Sequence, residues 1–289
     1  MKEGTTKHAY LIIAHNEFEV LQLLVSALDD ERNDIYVHID KKVKTLPPLS
    51  TSKSRLYMLD KRIDVRWGHV SQIKTELLLF ETALANGPYD FYHLISGTHL
   101  PLKSHDEIND FFERRKGFEI MKIEKPNIQQ INQKLRRYHF FVRNYQSSKK
   151  VIRLLSQFLW RANMAVQKLL GIRHNTGCDF VKSDNWLSLT EKAVSYLVTH
   201  KKEIIKKYRF SFCGDEYFAG SELSAAVDYK ILNESKLLYT VFGNANAKTL
   251  TVEDYDDMVG SDCLFARKFS INEQEIIKRM SWINLQTEC

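Results

Sequence analysis

Cysteine is scarce in this chain of 289 residues: there are four, Cys178, Cys213, Cys263 and Cys289. They stand far apart, with no CxxC and no paired histidine. That excludes a zinc ribbon or a disulfide framework and makes a reducing compartment the expected setting. Long apolar runs are missing too. None approaches the ~20 residues that cross a bilayer. The opening MKEGTTKHAYLIIAHNE lacks the layout of a signal peptide, because His15 and Asn16 interrupt its apolar run. The expectation is a cytoplasmic protein, or one seated peripherally on the inner face of a membrane. Common chemical signatures are absent as well. There is no GxxxxGK[ST], no GxGxxG after the first strand, no GxSxG and no HExxH.

What is present is an ordinary globular composition, 44% apolar and 27% charged, long enough for one α/β domain. The net charge of +6 tolerates acidic partners without requiring them. A nucleic-acid partner is not expected, since the aromatics do not interleave with Lys and Arg as stacking platforms would.

The first third alternates strand and helix signals. AYLIIA (9–14), DIYVHID (34–40), DFYHLIS (90–96) and FEIMKI (118–123) read as buried strands. FEVLQLLVSAL and SQIKTELLLFETAL (71–84) read as amphipathic helices, the second with Ile73, Leu77, Phe80 and Leu84 aligned and Ser71 as its N-cap. Ser104 and Glu107 form a capping box for a short helix. Such alternation predicts a mostly parallel sheet with ligands beyond the carboxyl ends of the strands. Polar clusters fall there, at His15–Asn16, Asp40–Lys42 and Ser96–His99. Residues 151–173 read as a basic amphipathic helix. It either lies on a membrane surface or packs on the sheet with its Lys and Arg solvated; packing is the expectation.

Two acidic stretches invite a chemical reading. In SFCGDEYF (211–218), Asp215 and Glu216 suit the first turn of a helix. Equally, one of them could sit half-buried against Phe212, Tyr217 and Phe218 with a raised pKa and take a proton from a substrate. Asp254 and Asp256 spell DxD, a pair that can hold a metal-bound diphosphate, but Thr251 and Asp254 read as a helix cap. Arg267 and Lys268, between Phe265 and Phe269, are either snorkelling cations or a phosphate clamp.

Taken together, several stretches resemble one family. VRWGHVSQIKTELLLFETAL followed by YDFYHLISGTHLPLKSHDEINDFF, with AYLIIAHN, IYVHIDKK, SDNWLSLT, GDEYF and TLTVEDYDDMVGSDCLFARKF, closely resembles the core-2/I-branching β-1,6-N-acetylglucosaminyltransferases, a family that includes peptide O-xylosyltransferases. The segments occur in family order across most of residues 8–270, and the length is similar to that of bacterial members.

The resemblance implies a GT-A type fold, mostly parallel and Rossmann-like, in a single domain: a nucleotide half (1–125) joined to an acceptor and catalytic half (126–289). It implies inverting transfer of a sugar, N-acetylglucosamine first and xylose as the alternative, from a UDP-sugar to a glycan or lipid-linked glycan. No divalent metal or other cofactor is implied. The family's catalytic base falls on Glu216 and its diphosphate cations on Lys248 and Lys268, with Arg267 beside them. Uridine contacts fall on Ala14, His15, Asn16, Asp40 and Trp67. Acceptor contacts fall on Glu119, Arg136, Arg137, Asp215 and Phe242. Gly214 stands where the family usually has proline, which predicts a looser loop, and His99 stands where it commonly has aspartate.

Overall fold

The run HAYLIIA forms strand β1 (His8–Ala14), which lies inside the sheet because both of its faces are apolar. Tyr10, Ile12 and Ala14 join the core on one side of the sheet, while Ala9 and Leu11 join the core on the other. The structure, a computed structural model, describes residues 6–125, 127–226, 228–243 and 246–285. Cys289 falls outside these, and Cys178, Cys213 and Cys263 are free thiols.

The further strands are β2 (Asn33–Ile39), β3 (Arg55–Met58), β4 (Phe91–Ser96), β5 (Leu100–Pro101), β6 (Glu119–Met121), β7 (Leu187–Leu189), β8 (Ile231–Asn233), β9 (Leu238–Thr240) and β10 (Phe265–Arg267). The helices are α1 (Phe18–Ala27), α2 (Ser71–Leu84), α3 (His105–Glu113), α4 (Ile128–Lys134), α5 (Lys150–Leu169), α6 (Glu191–Thr199), α7 (Lys201–Tyr208), α8 (Phe218–Ala225), α9 (Tyr255–Val259) and α10 (Gln274–Leu285).

Seven strands make one sheet in the order β3-β2-β1-β4-β7-β6-β8. Only β7 runs against its neighbours β4 and β6; the other pairings are parallel. This is the mostly parallel α/β sheet that the alternating pattern predicts, flanked by helices in the Rossmann-like arrangement that the resemblance implies. Strands β7 and β8 lie beyond residue 125, so both halves of the chain share it. A small second sheet, β5-β10-β9, packs over one face.

Strand β2 lies on one side of β1 and β4 on the other, so the chain reverses direction across β1 and opens a crevice at the carboxyl ends of these strands. The two strand ends nearly touch. A Cβ on Gly97, just after β4, would stand 2.7 Å from the Ala14 Cβ, and the Gly97 N–H donates to the Ile13 carbonyl at 3.0 Å.

Helix α2 spans the residues its periodicity predicts, with Ile73, Leu77 and Phe80 buried. Ser71 is not its N-cap. Val70 occupies that position, and the Ser71 hydroxyl instead accepts the Arg66 N–H at 2.8 Å. The Ser104–Glu107 and Thr251–Asp254 capping boxes are both present.

Helix α5 departs most from expectation. It does not pack on the sheet. Its inner face holds the segment 138–145 instead, with Asn163 and Gln167 donating to the Tyr138 carbonyl and Ser156 to that of Phe141. Both sheet faces are already covered, one by α1, α3 and the small sheet, the other by α2, α6, α7 and α8. No apolar surface remains there for a further helix.

Replacing Gly97 by alanine should lower stability by about 1–3 kcal/mol, because the added methyl overlaps Ala14 at the strand crossing. Gly177→Ala, where a Cβ meets nothing within 4 Å, is the control expected to unfold at nearly the wild-type urea midpoint.

Candidate active site

The crevice is built from strand ends. His15 and Asn16 follow β1, Asp40 follows β2, Ser96 to His99 follow β4, and Arg267 to Lys268 end β10. The Phe269 N–H donates to the Thr98 carbonyl at 3.0 Å, which locks the β10 end onto the β4 loop. The Asp40 N–H donates to the Ala14 carbonyl at 2.9 Å, which joins the β1 and β2 ends. Asp40 is buried, and its two oxygens accept from the Lys42 backbone at 2.8 Å and the Lys42 ammonium at 2.6 Å. Burial lowers the His15 pKa, and Lys268 and Lys42 oppose its proton further, against the pull of Asp40. His15, Asp40 and Lys268 therefore share one neighbourhood.

A second wall comes from SDNW (183–186). The Arg267 guanidinium lies over the Trp186 ring at 4.8 Å, within cation–π range. Burial pulls the pKa of Arg267 down to about 10, and the attraction of Asp184 offsets this in part. His99 stands edge-on to Trp186 at 5.0 Å, and its Nδ1 lies 2.8 Å from the Ser96 hydroxyl. Burial, then the charge of Arg267, holds His99 far below the usual imidazole range and hence neutral.

The acidic turn completes the rim. Gly214–Glu216 form one 3-10 turn, entered through Cys213 in the left-handed region at φ 52°. Asp215 is buried; Gln72 donates to its Oδ2 at 2.9 Å and Asn185 at 2.7 Å. Burial, then the neighbouring Glu216 charge, raises its pKa from 3.8 to about 6. Buried Glu76, one helical turn beyond Gln72 on α2, is likewise held well above the carboxylate range by burial and by Asp215. Glu216 is half-exposed, and the Lys134 ammonium donates to its Oε2 at 3.0 Å. Burial opposes the Lys134 charge, but Glu216 together with Cys213 and Tyr217 offsets it, and the ammonium is held above the ordinary lysine range.

The apolar wall expected around Glu216 is only partly there. Tyr217 and Phe218 point into the core and Lys134 takes the place beside the carboxylate, so the acid driven upward by burial is Asp215. Nor is Gly214 a loose point. It is buried, and a Cβ there would lie 3.0 Å from the Tyr208 ring.

Five buried side-chain atoms of these stretches have no hydrogen-bond partner among the described residues: Arg267 Nε, His99 Nε2, Ser183 Oγ, Asn185 Oδ1 and Asp215 Oδ1. Buried polar groups are ordinarily paired. Donors and acceptors left open on one crevice mark a place that receives a polar ligand.

Some residues expected at the site are elsewhere. Glu119 stands at the amino end of β6, away from the carboxyl ends that form the crevice, where both its oxygens accept from Thr190, the cap of α6. Arg136 and Arg137 turn their guanidinium groups to the carbonyls of Cys178 and of Gln167 and Ile172, holding the end of α5 and the loop after it. They are structural because those carbonyls are left over at a helix terminus and in a loop. Phe242 is 70% exposed on the loop before Lys248. The Lys248 ammonium is paired with Asp254 at 3.0 Å. The other Asp254 oxygen accepts from Thr251, as the capping reading predicts. Trp67 is 41% exposed; its ring stacks with Tyr145 at 6.1 Å and meets Phe212 edge-on at 5.2 Å, on the Glu216 side of the crevice.

Others were not anticipated. Gln72, Lys134, Asp184, Asn185 and Trp186 line the site, and so does Glu124, which pairs with Lys182 at 2.7 Å. The 183–184 backbone is threaded between two elements, since Ser183 N–H donates to the Glu216 carbonyl and Asp184 N–H to that of Lys122. The run SDNW was the one sequence signal for this wall.

A family model for Core-2/I-branching enzymes matches residues 8–257. The chain belongs to the Core-2/I-branching enzyme family. Membership places it among glycosyltransferases, with a sugar donor and a glycan acceptor as substrate classes. No curated protein matches the sequence. Among solved structures, mouse xyloside xylosyltransferase 1 in its apo form is 10% identical at a TM-score of 0.35, over 92% of this chain and 98% of that one, a likeness too distant to carry a role to any residue.

In this Core-2/I-branching enzyme, the folded chain binds the Asp215 proton more tightly than the unfolded chain does. Stability is therefore lost as pH rises from about 4 to about 6, and the loss persists above that range. Asp215→Asn should unfold at higher urea than wild type at pH 7.5, by roughly 1–3 kcal/mol, with the gap closing by pH 4.

Proposed function

We propose that the protein is an inverting, metal-independent glycosyltransferase that moves a sugar from a UDP-sugar to a hydroxyl of a glycan or lipid-linked glycan. N-acetylglucosamine is the first assignment. One observation carries this reading: a half-exposed carboxylate, Glu216, fixed by Lys134 at 3.0 Å, shares a crevice with desolvated Arg267 and with Lys268.

The reaction is a single displacement. As the acceptor oxygen forms its bond to the anomeric carbon, its proton passes to Glu216, while the bond to UDP breaks and its electron pair leaves with the diphosphate. A general base in this position contributes ~10²–10⁴ in rate. Lys134 holds the carboxylate in one rotamer. Asp215 acts through position: anchored by Gln72 and Asn185, it sets the turn that carries Glu216.

The departing diphosphate gains charge. Arg267 offers a buried Nε with no partner, aimed from the Trp186 face, and Lys268 makes no ion pair among the described residues. Pre-organised cations in a dry site stabilise such charge strongly. Lys248 joins them by leaving Asp254. With Lys248 gone, that aspartate still caps its own helix through Thr251, which favours side-chain cations over a metal held by Asp254 and Asp256. His15, Asn16 and Asp40 face the nucleoside. Trp67, with Tyr145 and Phe212, belongs to the acceptor side. Neutral His99 stands against the sugar position, where the family commonly carries an acid, so a panel of UDP-sugars that includes UDP-xylose decides the donor.

Glu216→Gln should bind UDP as wild type does and lose ~10²–10⁴ of the transfer rate. Near-normal turnover by this variant removes Glu216 from the role of base. Lys268→Ala should cost ~10²–10³ in kcat, and transfer should continue in excess EDTA. A loss in EDTA that Mn²⁺ reverses returns the reaction to a metal.

A further inference from the structure

The outer face of α5 is apolar and uncovered. Among the described residues, eleven of the sixteen exposed large apolar side chains lie between 140 and 172, including Val151 at 78%, Leu155 at 56%, Phe158 at 66% and Leu169 at 84%. At 3.6 residues per turn, Val151, Leu155, Phe158 and Leu169 form one stripe, and Lys150, Arg161 and Lys168, all exposed, run along one flank of it. The charge is one-sided. Residues 125–178 hold eleven lysines and arginines and no acid, leaving 31 basic against 36 acidic residues in the rest of the chain. No helix among the described residues is long and apolar enough to cross a membrane.

We propose that α5 seats the protein on an anionic lipid bilayer, with Leu155, Phe158 and Leu169 among the acyl chains and Lys150, Arg161 and Lys168 among the headgroups. An apolar stripe flanked by cations is what such a surface takes up. A two-fold pairing with a second copy through this face would instead set like charges against each other. The inner side of α5 carries Trp160, whose ring lies 5.3 Å from Tyr145 and 5.9 Å from Phe212. The bilayer therefore lies behind the acceptor side of the crevice, where a lipid-linked glycan would present its hydroxyl. That last placement rests on the proposed function; the membrane seat itself does not.

The test is co-sedimentation of the full chain with vesicles of phosphatidylcholine alone and of phosphatidylcholine with phosphatidylglycerol, neither holding donor or acceptor. The expected result is binding to the anionic vesicles that salt weakens. Arg161→Gln should weaken it about fivefold. The doubly substituted Leu155→Glu, Phe158→Glu chain should weaken it about tenfold or more, while transferring sugar to a soluble acceptor as wild type does. Absence of binding to anionic vesicles overturns the proposal, as does undiminished binding by the double variant. A concentration-dependent dimer that the double variant abolishes, without vesicle binding, assigns the face to a second copy. Because binding is read without substrate, failure of the transfer reading leaves this result intact.

Discussion

A single buried carboxylate, Asp215, ties the acidic rim of the crevice together. Gln72 reaches it from α2, and Asn185 reaches it from the segment before β7. The hydrogen bonds to Oδ2 hold three remote stretches of chain in register, and the next residue along, Glu216, is thereby delivered to the rim. Desolvation makes this costly, since burial favours the protonated acid. A function that needs a carboxylate held in one place gives a reason to bear that cost. Nearby Glu76, also buried and displaced upward in pKa, adds to the same store of unfavourable polarity.

The crevice that Glu216 faces is a product of topology. Once β1 lies between β2 and β4, the loops after these strands diverge, and Gly97 lets two of them approach closely. The small sheet then closes the opening from above and brings Arg267 and Lys268 to it. Cations enter the site from β10, anions from the 213–216 turn, and the neutral His99 and Trp186 stand between them. This separation of charge across one cleft suits a reaction in which negative charge grows on one side while a proton is taken up on the other.

Much of the architecture was legible in advance. The strands at 9–14, 34–40 and 90–96 are rich in apolar residues at successive positions, because each is covered on both faces of the sheet. Helix α2 could be read to the residue from its period. The errors share a cause. Ser71 has the right chemistry for a cap, but its hydroxyl is taken by Arg66. Arg136 and Arg137 look like ligand-binding cations until the carbonyls at the end of α5 claim them. Glu119 looks like a ligand-binding acid until Thr190, the cap of α6, takes both its oxygens.

The sequence by itself determined the elements and the family, since hydrophobic period and motif order are local properties that survive without coordinates. It determined, too, which residue types could serve as base and as cations. Only the tertiary structure decided which of them meet. It chose Lys134 as the partner of Glu216, buried Asp215 so that its pKa rises, and left the apolar side of α5 uncovered. Partners of that kind are separated by scores of residues along the chain, and burial depends on what every other element has already covered.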